Sequence, residues 1–168
     1  MGDGVGFFER VKARNGTAAL LNALKWDDDG RVVVVMQDAS NHQVLGVAFA
    51  NREALELTLK TGLMHYYSRS RNKLWKKGES SGHIQKLVEL RVDCDGDALL
   101  ARVRQVKANC HLGFRSCLSN VFRRNTKGQW TVKVSGKKVF DPAAVYGTPV
   151  PPKSKGLKKN AHKSRRDA

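Results

Sequence analysis

The chain has 168 residues, of which 40% are hydrophobic and 27% charged, which is typical of a folded domain with its own core. No apolar run approaches the roughly 18 residues of a membrane span, and the N-terminus does not resemble a secretory signal, so we expect a cytoplasmic protein without a membrane partner. The formal charge is +16, but residues 123–168 contain 13 basic and 2 acidic side chains, so most of the excess belongs to a tail that we expect to be solvated.

The first half of the chain contains the clearest local signals. Apolar residues at roughly helical spacing predict an amphipathic helix within residues 7–24. Two apolar runs with a polar turn between them predict a hairpin over residues 31–49. Asn51 is a good N-cap and Gly62 a good stop for a helix between them, with Ala54, Leu55, Thr58 and Leu59 on one face.

The second half contains shorter or alternating patterns. These predict two short strands around Asn72, two long strands on either side of a turn near residue 96, and a small hairpin within residues 128–142. We interpret residues 1–30 as an N-terminal extension with the helix, 31–122 as the domain, and 123–168 as a basic extension, largely disordered after about residue 148. The fold class is α+β, mostly β, with a strongly bent mixed sheet or pseudo-barrel and one main helix.

The stretch "RVDCDGD" places three aspartates at alternate positions around one cysteine. On an extended strand, Asp93, Asp95 and Asp97 would share one side and Cys94 would project from the other. Crowded carboxylates favour a hard cation such as Mg²⁺; a solvated acidic turn is the other interpretation. A calcium loop of the EF-hand type is excluded because Ala98 and Arg104 occupy the positions that require glycine and glutamate.

Three cysteines, Cys94, Cys110 and Cys117, cannot all pair within one chain. Thiolates select Zn²⁺, and three ligands would leave one position for water, whereas His111 could instead close the site; three buried thiols are the remaining interpretation. On one helix, Cys110 and Cys117 would lie about 10 Å apart along the axis. A shared zinc therefore requires the segment to fold back, and Gly113 supplies the flexibility.

The loop "SRSRNKLWKKGESSG" combines arginine, lysine, hydroxyl and glycine residues. These groups suit phosphate oxygens, and Trp75 could stack on a base or cover hydrophobic surface. An exposed charged hairpin is the alternative. The candidate ligand-binding residues here are Arg69, Arg71, Trp75, Lys77, Ser80 and Ser81.

Together, "NREALELTLKTG", "HYYSRSRNKLWKKGESSGHIQK", "ELRVDCDGDALL" and "CHLGFRSC" resemble the phosphoribosyl-AMP cyclohydrolases of histidine biosynthesis, over about residues 31–122. The resemblance implies hydrolytic opening of the adenine ring of 1-(5-phosphoribosyl)-AMP between N1 and C6. It also implies Zn²⁺ at Cys94, Cys110 and Cys117 and Mg²⁺ at Asp93, Asp95 and Asp97. The family is dimeric with zinc sites shared between subunits, so Cys94 would serve the partner chain.

The implied chemistry assigns roles to further residues. We expect zinc to activate the attacking water, with His111 as the first candidate proton shuttle and His65 as the second. The phosphates would use Arg69, Arg71 and Lys77. The tail is too short and too poor in acidic residues to be the pyrophosphohydrolase fused to some relatives, so we expect a monofunctional enzyme.

A different class of function is the main alternative. A relative that keeps the fold and metals could use its basic tail to bind RNA or another polyanion, although we expect no nucleic-acid partner. A hydrolase acting on a related purine nucleotide is the second alternative.

Overall fold

A curled, mixed six-stranded sheet forms the body of the molecule, whose computed structural model describes residues 16–147. The order in the sheet is β4-β3-β2-β1-β6-β5, in which β1 and β6 pair in parallel and the other neighbours antiparallel. The strands are β1 (Arg31–Asp38), β2 (Val44–Asn51), β3 (His65–Ser68), β4 (Lys73–Lys76), β5 (Gln85–Val92), β6 (Ala98–Gln105), β7 (Asn120–Arg124) and β8 (Trp130–Val134). The helices are α1 (Thr17–Ala23), α2 (Arg52–Thr61) and α3 (Pro142–Tyr146).

The sheet curls until residues before β3 reach the opposite edge strand. The amide of Met64 donates to the carbonyl of Gln85 at 3.0 Å, and the amide of Leu87 donates to the carbonyl of Gly62 at 2.8 Å. These bonds pair backbone groups that an open sheet would leave to solvent. The prediction of a mostly β, strongly bent mixed sheet is confirmed as a half-barrel. Within residues 16–147, no helix is long and apolar enough to cross a membrane.

The core lies inside the curl and follows the two-residue period of the strands. Alternate residues of β1 and β6 are buried, and α2 adds Ala54 and Leu55 to the same buried cluster. The Asn51 side chain caps α2 by accepting from the amide of Ala54, and Gly62 ends it at φ 69°, so both predicted helix ends are confirmed. The largest fully buried side chains include Tyr66, Leu21, Leu45, Leu55, Met64 and Leu99.

The small hairpin predicted within residues 128–142 is wrong in its pairing. Strand β8 pairs with β7, which precedes it, from Asn120↔Val134 to Arg124↔Trp130. The turn lies at residues 125–128, where the Asn125 side chain accepts from the amides of Lys127 and Gln129. A local side-chain bond therefore places the turn earlier than the apolar pattern indicated. The predicted domain boundary at residue 123 falls inside β7.

Two other predictions extend beyond the described residues. Of the helix predicted within residues 7–24, the described part contains α1, and residues 7–15 lie outside. The part of the tail after residue 147, predicted to be largely disordered, also lies outside.

Candidate active site

Three aspartates converge at the turn between β5 and β6. One carboxylate oxygen from each of Asp93, Asp95 and Asp97 lies within 4.8 Å of the others. Strand β5 ends before them, so the strand alternation invoked for their convergence is wrong. Instead, the Oδ1 atom of Asp93 accepts from the amides of Gly96, Asp97 and Ala98 at 2.8, 3.0 and 3.3 Å, and Gly96 has φ 86°. The turn, not the pleat, gathers the carboxylates.

The carboxylates of this turn differ in acidity. Burial opposes the ionisation of Asp93, but hydrogen bonds from the backbone of Ala98 and Gly96 and from the neighbouring aspartates outweigh it and lower its pKa. The hydrogen bond with Asp93 and then the charge of Asp95 raise the pKa of Asp97. Lys25, whose Nζ lies 3.6 Å from Asp95, supplies one compensating charge. Three carboxylate oxygens this close together form a donor set that suits a hard divalent cation.

Cys110 and Cys117 lie on a loop that follows β6 and folds back on itself. The amide of Asn109 donates to the carbonyl of Arg115 at 3.0 Å, and that of Cys110 donates to the carbonyl of Phe114 at 3.2 Å. Gly113 has φ 93° within this loop, so the predicted fold-back is present. Burial, followed by the charge of Cys110, raises the pKa of Cys117 to about 11.

Cys94 lies apart from this pair. It sits on the aspartate turn with its side chain exposed. Among residues 16–147, the aspartates form the group of three metal-ligand side chains within reach of one ion, and the three cysteines do not come together in that way. One chain thus presents buried Cys110 with exposed Cys117 at one place and exposed Cys94 at another.

A buried polar network supports the thiol pair. The Asn109 amide donates to the carbonyl of Leu45 at 2.8 Å and to Sγ of Cys117 at 3.2 Å. Its Oδ1 accepts from buried Gln85 at 3.2 Å, and its carbonyl accepts from Nζ of Lys77 at 3.0 Å. Burial lowers the pKa of Lys77, while the charges of Cys117 and Cys110 oppose that shift. Sequence reasoning missed Asn109; its only signal was its position beside Cys110.

A cleft of about 510 Å³ opens beside the thiols. It is lined by residues of β1, β2 and β4, by the turn before β4 and the loop after it, by the cysteine loop and by α3. The lining residues are Met36, Val47, Ala48, Arg71, Trp75, Lys76, Lys77, Gly78, Glu79, Ser80, Ser81, Asn109, His111, Cys117 and Tyr146. Gly78 allows the tight loop, since it has φ 83° and a Cβ there would come within 2.5 Å of the amide nitrogen of Ile84.

Most of the predicted ligand-binding residues meet in this cleft, but two predicted residues do not. Arg69 lies over the ring of Phe49, with 4.1 Å from Cζ to the centroid. His65 is buried, with Nδ1 2.8 Å from the carbonyl oxygen of Leu63 and its amide bonded to Thr58. His111, in contrast, is exposed at the cleft. Six predicted residues therefore line the same cleft as Cys117: Arg71, Trp75, Lys77, Ser80, Ser81 and His111.

The curled sheet and the basic, hydroxyl-rich lining of the cleft define a small protein with a site suited to an anionic ligand. The family model of phosphoribosyl-AMP cyclohydrolase matches residues 46–119. Proteins named phosphoribosyl-AMP cyclohydrolase from Methanococcoides burtonii, Salinibacter ruber and Chromobacterium violaceum are 53%, 50% and 49% identical to the chain. The alignments cover 75%, 76% and 77% of this chain and 98%, 96% and 96% of the relatives. The chain belongs to the phosphoribosyl-AMP cyclohydrolase family and is a hydrolase.

Proposed function

We propose that this protein opens the adenine ring of 1-(5-phosphoribosyl)-AMP in histidine biosynthesis. The oxygen of water bonds to C6, the C6–N1 bond breaks and a proton is transferred to N1, giving the phosphoribosyl-formimino-AICAR phosphate. One observation carries the proposal: apart from Met36 and Tyr146, every residue lining the cleft lies within the family-matched range. The RNA-binding alternative is not favoured, since the comparisons match enzymes of one name over almost their whole length.

The cleft offers separate groups for the parts of this substrate. Arg71 and Lys76 provide positive charge, and Ser80 and Ser81 provide hydroxyl and amide donors on the adjoining loop, all of which suit phosphate oxygens. The ring of Trp75 is held in position because it packs on buried Tyr66 with 5.3 Å between the ring centroids. We assign the phosphates to the first group and the base to the Trp75 side of the cleft.

Lys77 has a different environment from the other basic residues. Its ammonium is buried and donates to the carbonyl of Asn109, beside the two thiols. Two thiolates carry two negative charges, and a buried cation within reach of both reduces their repulsion. We therefore assign Lys77 to stabilising the thiolate pair, in place of the phosphate contact that sequence reasoning proposed.

The donor set fits the two proposed metals. Cys110 and Cys117 lie on one folded-back loop, near enough for the charge of Cys110 to raise the pKa of Cys117, and Cys94 of the partner subunit would complete a zinc site of three thiolates. Bound there, zinc supplies water activated for attack near neutral pH. The carboxylates of Asp93, Asp95 and Asp97 suit Mg²⁺. His111, exposed beside Cys117 in the cleft, is placed to carry the proton toward N1.

Two features support a homodimer. Cys94 lies apart from Cys110 and Cys117, so a three-thiolate site needs a second chain. The β7–β8 hairpin also exposes Phe122, Trp130, Val132 and Val134, each by 59–68%. In the register of this hairpin Phe122 faces Val132, so these side chains share one apolar face. A two-stranded hairpin is marginally stable alone, and we assign this face to contact with a second copy.

A direct assay tests the proposed reaction. Purified protein is loaded with zinc and magnesium, and ring opening of phosphoribosyl-AMP is followed by absorbance. We expect turnover that is lost on zinc chelation and restored when zinc is returned. Absence of turnover in the fully loaded protein would contradict the proposal. Deleting residues 148–168 serves as a control, because an enzyme keeps its activity without the tail and a tail-dependent RNA-binding protein loses its binding.

A further inference from the structure

Tyr146 is a cleft residue that the family comparison leaves unassigned. It lines the cleft together with Trp75, Arg71 and His111, yet it lies 27 residues beyond the end of the matched range at residue 119. Its side chain is not needed for the core, since the residue is 47% exposed and α3 buries none of its residues. A large aromatic ring held at the mouth of a ligand cleft, and not in the core, needs another explanation.

The segment that carries Tyr146 is fixed to the cysteine loop. The amide of Val139 donates to the carbonyl of Gly113 at 2.8 Å, and Phe114 and Lys138 form an antiparallel bridge. Contact is close because Gly113 has no side chain: a Cβ there would lie 2.6 Å from the carbonyl oxygen of Phe140. The loop that bears the thiols therefore also positions the chain that returns to the cleft.

Aromatic contacts then orient Tyr146 itself. The Phe140 ring packs edge-on against buried His83 with 4.5 Å between centroids, and the Tyr146 ring lies 6.2 Å from that of Phe140. Helix α3 begins at an Asp141 N-cap with Pro142 in its first turn and ends at Gly147. The short helix that carries Tyr146 is therefore capped at both ends. The ring is positioned before any ligand arrives.

We propose that Tyr146 is a substrate-contacting residue whose ring packs against the purine base in the cleft. This inference rests on the proposed function for the identity of the base. A phenol ring suits the task because it offers a flat apolar face and loses little conformational freedom on binding. The basic and hydroxyl groups of the cleft are assigned to the phosphates and the aromatic Trp75 to the base, so the base is also the part of the nucleotide that suits Tyr146.

Three variants separate ligand contact from structural support. Tyr146→Leu removes the aromatic face, Tyr146→Phe keeps it, and Val145→Ala alters the neighbouring residue of α3, which does not line the cleft. Loss of one base–aromatic contact typically weakens binding by about 5- to 100-fold. We expect Tyr146→Leu to raise KM for phosphoribosyl-AMP and Kd for AMP by roughly ten-fold, with unchanged melting temperature. Tyr146→Phe and Val145→Ala should stay within about two-fold of the parent protein.

The two readouts keep this inference distinct from the proposed function. Turnover by the parent protein tests the function, whereas the ratio of AMP affinities between parent and Tyr146→Leu, measured by calorimetry, tests the tyrosine. Equal AMP affinities would overturn the inference even if the parent is fully active. A loss of AMP affinity shared by Tyr146→Leu and Val145→Ala, with a lower melting temperature in both, would also overturn it and show that α3 acts only as structural support.

Discussion

Gly46 lies on β2 against Asn109 and Cys117, where there is no room for a side chain. A Cβ at this position would lie 2.9 Å from Nδ2 of Asn109 and 3.6 Å from Sγ of Cys117. The Asn109 amide is held by two hydrogen bonds, to Leu45 and to Cys117, so it cannot shift freely. A single methyl group at residue 46 thus bears directly on the geometry of the thiols.

We predict that Gly46→Ala lowers zinc content and turnover by at least several-fold, because the displaced Asn109 releases Cys117. Overpacking of this kind typically costs about 1–3 kcal/mol of unfolding free energy. Metal analysis and thermal unfolding measure the two effects. The control is Gly128→Ala in the β7–β8 turn, where nothing lies within 4 Å and only φ 76° opposes a side chain. If both variants retain full zinc, the role assigned to Gly46 is wrong.

Asp38 makes stability depend on pH through its ion pair with Arg115 of the cysteine loop. Its carboxylate is buried; burial opposes its ionisation, but hydrogen bonds from Ser40 and the ion pair with Arg115 outweigh it and lower the pKa of Asp38. The unfolded pKa is near 3.8. This contribution to stability is therefore present above that pH and lost as the pH falls through the lower folded value.

We predict that Asp38→Asn reduces the unfolding free energy at pH 7 by roughly 2 kcal/mol, the usual value for hydrogen bonds to a charged group. The difference from the parent protein should shrink as the pH drops below about 4. Urea unfolding at several pH values measures it. A difference that stays constant down to pH 2 would show that the charge of Asp38 is not what stabilises the fold.

At the scale of elements, the aspartate turn combines a structural carboxylate with two outward ones. Asp93 accepts three backbone amides, whereas Asp97 is exposed and has a raised pKa. Removing Asp93 should therefore unravel the turn, and removing the charge of Asp97 should chiefly affect cation binding. Comparing the thermal stability of the two variants with and without Mg²⁺ therefore distinguishes the structural role of Asp93 from the cation-binding role of Asp97.

We predict that Asp93→Ala lowers the melting temperature measured without Mg²⁺. The lost hydrogen bonds should reduce the unfolding free energy by about 1–2 kcal/mol. Asp97→Asn should leave that value near the parent's and lose only the stabilisation that added Mg²⁺ gives. Thermal unfolding at increasing Mg²⁺ concentration measures both. Equal Mg²⁺-dependent stabilisation of parent and Asp97→Asn would rule out Asp97 as a ligand.

Local patterns account for what could be predicted at this scale. The cap at Asn51, the stop at Gly62 and the period of the strands all act within a few residues, so helix α2 and the main hairpins followed from the sequence. The network of Asn109, Gln85 and Lys77 joins residues up to 32 positions apart, and no local pattern encodes such contacts. The pairing of β7 with β8 was missed because the Asn125 side chain fixes a turn at residues 125–128, which the apolar pattern does not reveal.

At the scale of the whole molecule, the position of Cys94 leads to a sharp test of the shared zinc site. If each site takes Cys94 from one subunit and Cys110 with Cys117 from the other, then Cys94→Ala and Cys110→Ala homodimers are both inactive. In a heterodimer of the two variants, one site lacks both residues and the other keeps all three thiols. Mixing the variants should therefore restore activity that neither has alone.

With random exchange of subunits, half of the dimers are mixed and each has one intact site of two. We predict about a quarter of the parent activity, with zinc recovered in the same proportion. The control replaces the Cys110→Ala partner by a Cys94→Ala, Cys110→Ala double variant. No dimer in that mixture contains a site with all three thiols, so no activity should be restored. Tagged subunits confirm that mixed dimers form. If mixed dimers form and stay inactive, the zinc site shared between subunits is wrong.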